Sequence, residues 1–402
     1  YPTTSESLTP VRVQGLSLAK TLMTAGDNHT CVLNSSGGVE CWGERLGWSS
    51  EENSSPAPVG GIGAPVMTLS ANGLHTCAVT VGKSVLCWGD ASDSDVLMNT
   101  IVIPPTLVAG FTNNGKNVAS GLGHSCATTT NGAALCWGEN ESGQLGDGSM
   151  TFQSAPVSVR YLSAPAMSLA AGSHYTCALL VDSSVKCWGL GYIGQLGSGS
   201  WNNQRWPTGV KGLDHGVLYI AAKHSHTCVL TDTSTVKCWG YNGFGALGDG
   251  TTITPVEPVL VKGLPDRVSD LATGDFHTCV VTAAGVVMCW GANDHGQFGD
   301  GTTTSQLTPM DIDAVLVHAD AVGLGLNHSC AIDHAGSRLW CWGSNDWGQL
   351  GAGSTGSFVT APAQVVGLAA WKSVSAGEQH TCAIRSDGRL ACWGSNYDGQ
   401  LG

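Results

Sequence analysis

Short stretches rich in Val, Leu and Thr are broken along the whole chain by polar, Gly-containing turns. The run Val32-Leu33-Asn34-Ser35-Ser36-Gly37-Gly38-Val39 is representative: a strand end, a tight turn and the start of a second strand. It lies between His29-Thr30-Cys31 and Cys41-Trp42-Gly43, and this predicted hairpin recurs eight times, over 29–43, 75–89, 124–138, 175–189, 226–240, 277–291, 328–343 and 380–394. Side chains alternate along a strand, so His29, Cys31 and Leu33 share one face while Trp42 takes the face opposite to Cys41. Folded about its turn, the hairpin sets Cys31 across the ladder from Cys41, near disulfide distance. The same logic pairs Cys77 with Cys87, Cys126 with Cys136, Cys177 with Cys187 and Cys228 with Cys238. It also pairs Cys279 with Cys289, Cys330 with Cys341 and Cys382 with Cys392. The Cys330–Cys341 copy is one residue longer than the others and predicts a bulge or a longer turn.

Each repeat adds two further extended segments. In the fourth copy Ala155–Val159 and Met167–Gly172 precede the Thr176-Cys177 strand and the Val185–Gly189 strand, and the corner Gly194-Gln195-Leu196-Gly197 follows. Four short strands cannot bury enough surface alone, so the sheets must share a radial core. The expected fold is therefore all-β, a single β-propeller of eight four-stranded blades over residues 1–402. A Pro-Val-type segment near Pro10 precedes the first hairpin and none follows the last. Pro10–Val13 is thus expected to supply the outer strand of the final blade.

Composition narrows the function classes. Charged residues make up only 12% of the chain and Gly accounts for 56 positions, which suits short strands and tight turns rather than long helices. The formal charge of −13 disfavours a nucleic-acid partner, and no apolar run is long enough to span a membrane. Sixteen cysteines in fixed pairs imply an oxidising compartment, so the protein is expected to be secreted, beginning at Tyr1 as a processed form.

The order Pro-x-x-Val, Ala-Gly-x-x-His-Thr-Cys, Cys-Trp-Gly, Gly-Gln-Leu-Gly-Asp-Gly-Thr resembles the regulator-of-chromosome-condensation repeat across essentially the whole chain, with good corners at Gly143–Ser149, Gly245–Thr251 and Gly296–Thr302. The resemblance implies a propeller, usually of seven blades, which makes seven the alternative count. Copies one and two depart from the pattern, carrying Glu44–Asn53 and Asp90–Ile103 where the corner should be. Copy four has Tyr175 at the motif His position, and Asn72 and Lys223 replace the Gly found in the other copies. Light sensing in this family uses a Gly-Trp-Arg-His-Thr repeat. Here no Trp stands two residues before any motif His and no Arg precedes one, so that role is not supported.

Chemical signatures are sparse. His29, Cys31 and Cys41 are zinc-ligand types on one face, yet eight such sites, one with Tyr175, are less economical than eight disulfides. There is no His-Glu-x-x-His and no Gly-x-Ser-x-Gly. The run Gly110–Asn117 lacks the Ser or Thr a P-loop needs, and Asp147, Asp249 and Asp300 offer one carboxylate per turn, too few for calcium. No catalytic residue, metal or cofactor is therefore expected. The eight Cys-Trp-Gly tryptophans read as packing between blades. Outside that frame, Trp48, Tyr192, Trp201, Asn203, Arg205, Trp206, Phe244 and Trp347 are the candidate binding residues, aromatic, amide or guanidinium side chains in predicted loops. Asn53 and Asn140 are candidate glycosylation acceptors. Three functions compete: a secreted non-enzymatic scaffold that binds a protein, inhibition of an enzyme included, or self-assembles; a lectin-like glycan binder; and a guanine-nucleotide exchange factor, whose nuclear setting fits paired cysteines badly.

Overall fold

The computed structural model describes residues 6–16, 20–44, 53–90, 102–111, 113–265, 267–312, 318–334, 337–354, 356–367 and 370–402. Thirty-two strands form eight antiparallel four-stranded sheets, with no helix among the described residues. Blade one holds Lys20–Ala25, His29–Asn34, Val39–Gly43 and Asn53–Pro58, from the axis outward, and the other blades repeat this order. The eighth is completed from the other end of the chain: Glu6–Arg12 pairs with Leu390–Ser395, with Val11 opposite Cys392. The expected closure and the count of eight blades are both met. Each structural blade is offset by one strand from the sequence repeat, because the Pro-containing segment pairs with the preceding hairpin.

Within each hairpin the two cysteines are direct cross-strand partners and form a disulfide, with Cα atoms 4.1 to 4.2 Å apart. That close approach is the mark of a non-hydrogen-bonded antiparallel pair. No cysteine is left free. In the longer seventh hairpin the register from His328 to Ile332 is unbroken, and the extra residue lengthens the turn instead, where the Asp333 N–H donates to the Arg338 carbonyl.

The alternation of each hairpin decides how blades dock. Seven of the eight Cys-Trp-Gly tryptophans are buried, all but Trp137. The indole N–H of Trp188 donates to the Gln144 carbonyl in the corner of the preceding blade, and Trp42, Trp239, Trp290, Trp342 and Trp393 make the same bond. The opposite face looks to the following blade. His124 Nε2 lies 2.8 Å from Thr176 Oγ1, whose hydroxyl itself donates to the Gln144 carbonyl, so the imidazole carries its proton on Nε2 and donates. The pattern closes on itself: His29 to Thr76, His75 to Ser125, His226 to Thr278, His277 to Ser329, His328 to Thr381, and His380 back to Thr30. Tyr175 keeps the circuit intact in blade four, its hydroxyl 2.9 Å from Thr227 Oγ1 and donating to the His226 carbonyl. The Gly three residues before most of these histidines is required by the ring: a Cβ at Gly26 would meet His29 Cε1 at 2.2 Å. In blades two and five the inner strand runs one residue further, to Asn72 and Lys223, and the turn is shortened to compensate.

Blade one carries a buried ion pair, Lys20 with Glu40, where blade two has Val66 and Leu86 in the same register. Breaking such a pair strands a charge in the interior, whereas replacing both members by packed apolar residues is tolerated. Lys20→Val is expected to lower unfolding free energy by about 3 kcal/mol. The double variant Lys20→Val/Glu40→Leu, copying blade two, is expected to recover most of that loss in urea melts.

Candidate binding face

The loops joining first to second strands and those joining third to outer strands emerge on one face of the ring. The second set forms the corners, built by side-chain caps rather than by packing. In blade three, Asn140 Oδ1 accepts from the Leu145 N–H at 3.0 Å while its amide donates to Asp147 and Ser149. Gln144 Oε1 accepts from the Ser142 N–H. Asn242, Asn293, Asn345 and Asn396 repeat the first bond, and Gln195, Gln297, Gln349 and Gln400 repeat the second. The corners of blades three, five, six and seven then donate a Gly N–H to the outer strand of the next blade, as Gly148 does to the Arg205 carbonyl and Gly353 to the Leu8 carbonyl. Two tip residues per corner vary from blade to blade: Glu141-Ser142, Tyr192-Ile193, Gly243-Phe244, Asp294-His295, Asp346-Trp347 and Tyr397-Asp398. Tyr192, Phe244 and Tyr397 are exposed at 62, 43 and 76%.

Asn140, a candidate glycosylation acceptor, is buried, and its amide is engaged inside the corner. Asn53 starts the outer strand of blade one. Trp48 lies outside the described residues, as do 45–52 and 91–101 of the two irregular corners. Trp201 is half exposed on the loop of blade four. Trp206 behaves differently: its ring lies over Gly148, where no Cβ would fit, and meets Tyr161 edge-on at 5.0 Å. It packs blade four onto blade three. Asn203 is exposed but caps the Gly191 N–H, Arg205 is exposed, and Trp347 is partly buried. The candidate set is thus not one patch but a series of tips and supports around the rim.

Several residues that the sequence did not single out stand closer together. Phe276, directly before the motif His of blade six, contacts Phe244 at 5.5 Å, Tyr241 at 6.1 Å and His224 at 5.4 Å between ring centroids. The signal that could have found Phe276 is the position before each motif His, which varies freely through Asn28, Leu74, Gly123, His174, Ser225, Phe276, Asn327 and Gln379. His224 has φ of +46°, a conformation uncommon outside glycine and one that clusters at functional sites. The rim around the axis is tied together by backbone bonds from Asp27 to Gly73, Leu122 to Ser173, and Ser173 to His224.

Comparison with known proteins agrees with the fold. Residues 131–179, 182–230, 236–281, 284–332 and 337–384 match the model of the Regulator of chromosome condensation (RCC1) repeat. Residues 116–144, 217–246, 268–297 and 371–400 match a second model of that repeat. The chain is 33% identical over 239 residues to the ultraviolet-B receptor UVR8 of Arabidopsis thaliana, covering 58% of this chain and 54% of the receptor. It is 30% identical over 272 residues to the human E3 ubiquitin-protein ligase HERC2, covering 65% of this chain and 6% of the ligase. The matches thus span about half of one relative and a small part of the other. Prp20p of Saccharomyces cerevisiae superposes with a TM-score of 0.68 at 22% identity over 92% of this chain and 94% of its own. Human WBSCR16 gives 0.67 at 19% identity over 86 and 90%. At such identities these structures speak to fold alone.

Proposed function

The chain belongs to the regulator of chromosome condensation (RCC1) repeat family, and from that premise we propose that it is a secreted, non-enzymatic scaffold that binds a protein partner through the corner face of the ring. The observation that carries this reading is the contrast at the corners. Asn and Gln caps, glycines and one disulfide per blade hold an almost invariant frame, and the two tip residues on it change from blade to blade and include exposed Tyr192, Phe244 and Tyr397. Rigid presentation of loops lowers the ordering cost of binding, and aromatic side chains are enriched among the few residues that dominate the energy of protein contacts. Eight disulfides favour an oxidising compartment. Within the family, Prp20p has been characterised for its binding to Gsp1p and histones, a precedent for protein ligands on this fold.

The test is a screen of displayed extracellular proteins against the immobilised chain, repeated with Tyr192→Ala/Trp201→Ala/Phe244→Ala. A partner held by the parent is expected to bind the triple variant at least tenfold more weakly, with Tm changed by no more than about 2 °C, since all three side chains are surface-exposed. Equal binding by both proteins would place the contact elsewhere. Retention on a glycan array with no protein captured would favour the lectin reading.

A further inference from the structure

At the axis of the corner face, the first loops of the blades enclose a cavity of about 300 Å³. Its walls are small residues such as Ala25, Gly26, Ala71 and Gly377, and its charged groups are Asp27, Asp275, Glu378 and Lys223. Lys223 is already engaged: its ammonium lies 3.6 Å from Asp275 Oδ1 and donates to the Leu324 carbonyl at 3.2 Å. Lys223 is thus the one lysine among three carboxylates, and the lining keeps a net negative charge. Burial, reinforced by Asp27 and Asp275 and opposed by Lys223, pushes the Glu378 carboxyl up to about 7. Burial also raises Asp27, with Lys223 opposing. Both carboxylates would gain from a further cation.

The cavity opens onto a ledge of rings. His224 lines it and contacts Phe276, which stacks edge-on with Phe244 and Tyr241 toward the rim. The charged pocket and the aromatic ledge are thus one continuous surface. Resting on the protein-binding reading above, we infer that this mouth receives a single lysine or arginine side chain from an exposed loop of a partner protein, its cation between Asp27 and Glu378 and its apolar neighbours on Phe244 and Phe276. The volume admits one long side chain and no folded element. The ledge outside it is surface that a free amine would leave unused. The net charge of −13 attracts a basic segment and repels nucleic acid.

The probe is a blocked Gly-Phe-Arg-Phe-Gly pentapeptide, titrated into the full chain beside analogues with Lys, norleucine or Glu at the centre. The Arg and Lys peptides are expected to bind at least tenfold more tightly than the norleucine and Glu peptides, and more weakly as salt rises from 0.05 to 0.5 M, by roughly the screening expected of exposed charges. Asp27→Asn/Glu378→Gln should cost the Arg peptide at least tenfold, and Phe276→Ala a smaller factor. The double variant should keep or raise Tm, because it removes desolvated like charges; a fall would mark the carboxylates as structural and overturn the inference. It is also overturned if no peptide binds, if central charge makes no difference, or if the double variant binds like the parent. A partner from the display screen separates the two readings. If it binds parent and double variant alike, the mouth is refuted and protein binding stands. If the parent captures no protein, the underlying reading fails.

Discussion

Acidification is expected to unfold this protein through its histidines, well before its carboxylates are exhausted. Burial drives His29, His124, His277 and His328 down to about 3 and His226 and His380 to about 4, from an ordinary value of 6.5. Each is fully enclosed between blades with Nε2 in hydrogen-bond reach of the next blade's hydroxyl, so the neutral ring is the form the fold accepts. A base whose folded pKa is depressed contributes stability that is complete above the unfolded value and is lost as pH falls toward the folded one. The window is therefore pH 6.5 down to about 3 to 4, in which the unfolded chain binds more protons than the native one.

Each histidine costs about 1.4 kcal/mol per pH unit in that window, or about 2 kcal/mol at pH 5. Six of them outweigh the opposing pull of Glu378, whose raised carboxyl favours the folded state as pH falls from about 7. Denaturant melts between pH 7 and 4.5 should show a slope approaching about five protons taken up on unfolding, the six of the histidines less the one that Glu378 releases. A slope below two would defeat the account. His124→Tyr, which copies blade four with its Gly172, Tyr175 and Thr227, should fold and lower the slope by about one proton.

The second large effect concerns closure. Removing residues 1–14 strips Glu6–Arg12 from Leu390–Ser395, exposes the apolar surface that Val13 buries and deletes the bond from the Gly353 N–H to the Leu8 carbonyl. The loss falls on both sides of the ring's seam, since Gly348 of blade seven also packs against Leu8. An expected cost of several kcal/mol should lower Tm by about 10 °C. The bared edge of Leu390–Ser395 is a template for pairing with another chain, so the truncated protein should also self-associate with rising concentration. Light scattering and calorimetry read both. A truncated protein that is monomeric and melts like the parent would show that the three remaining strands of blade eight suffice.

How the eight blades form was legible because each rests on local spacing. The cysteines lie ten residues apart around a short turn, or eleven in one copy, so their pairing needs only a hairpin. The Trp face and the His face follow from strand alternation, and the missing outer strand at the end of the chain is visible as a surplus Pro segment at the start. What lay beyond the sequence depends on contacts between blades. Nothing in the spacing of His124 and Thr176 announces their bond, since they belong to neighbouring repeats and meet only when the ring closes. The same is true of Trp206, an apparent loop aromatic that turned out to pack over Gly148. Asn140, legible as a glycosylation sequon, is a corner cap because its Oδ1 accepts from the Leu145 N–H five residues on. The axial mouth is the extreme case. Asp27, Lys223, Asp275 and Glu378 sit in four blades scattered over most of the chain, and only radial symmetry brings equivalent loops to one axis, where burial then shifts their ionisation.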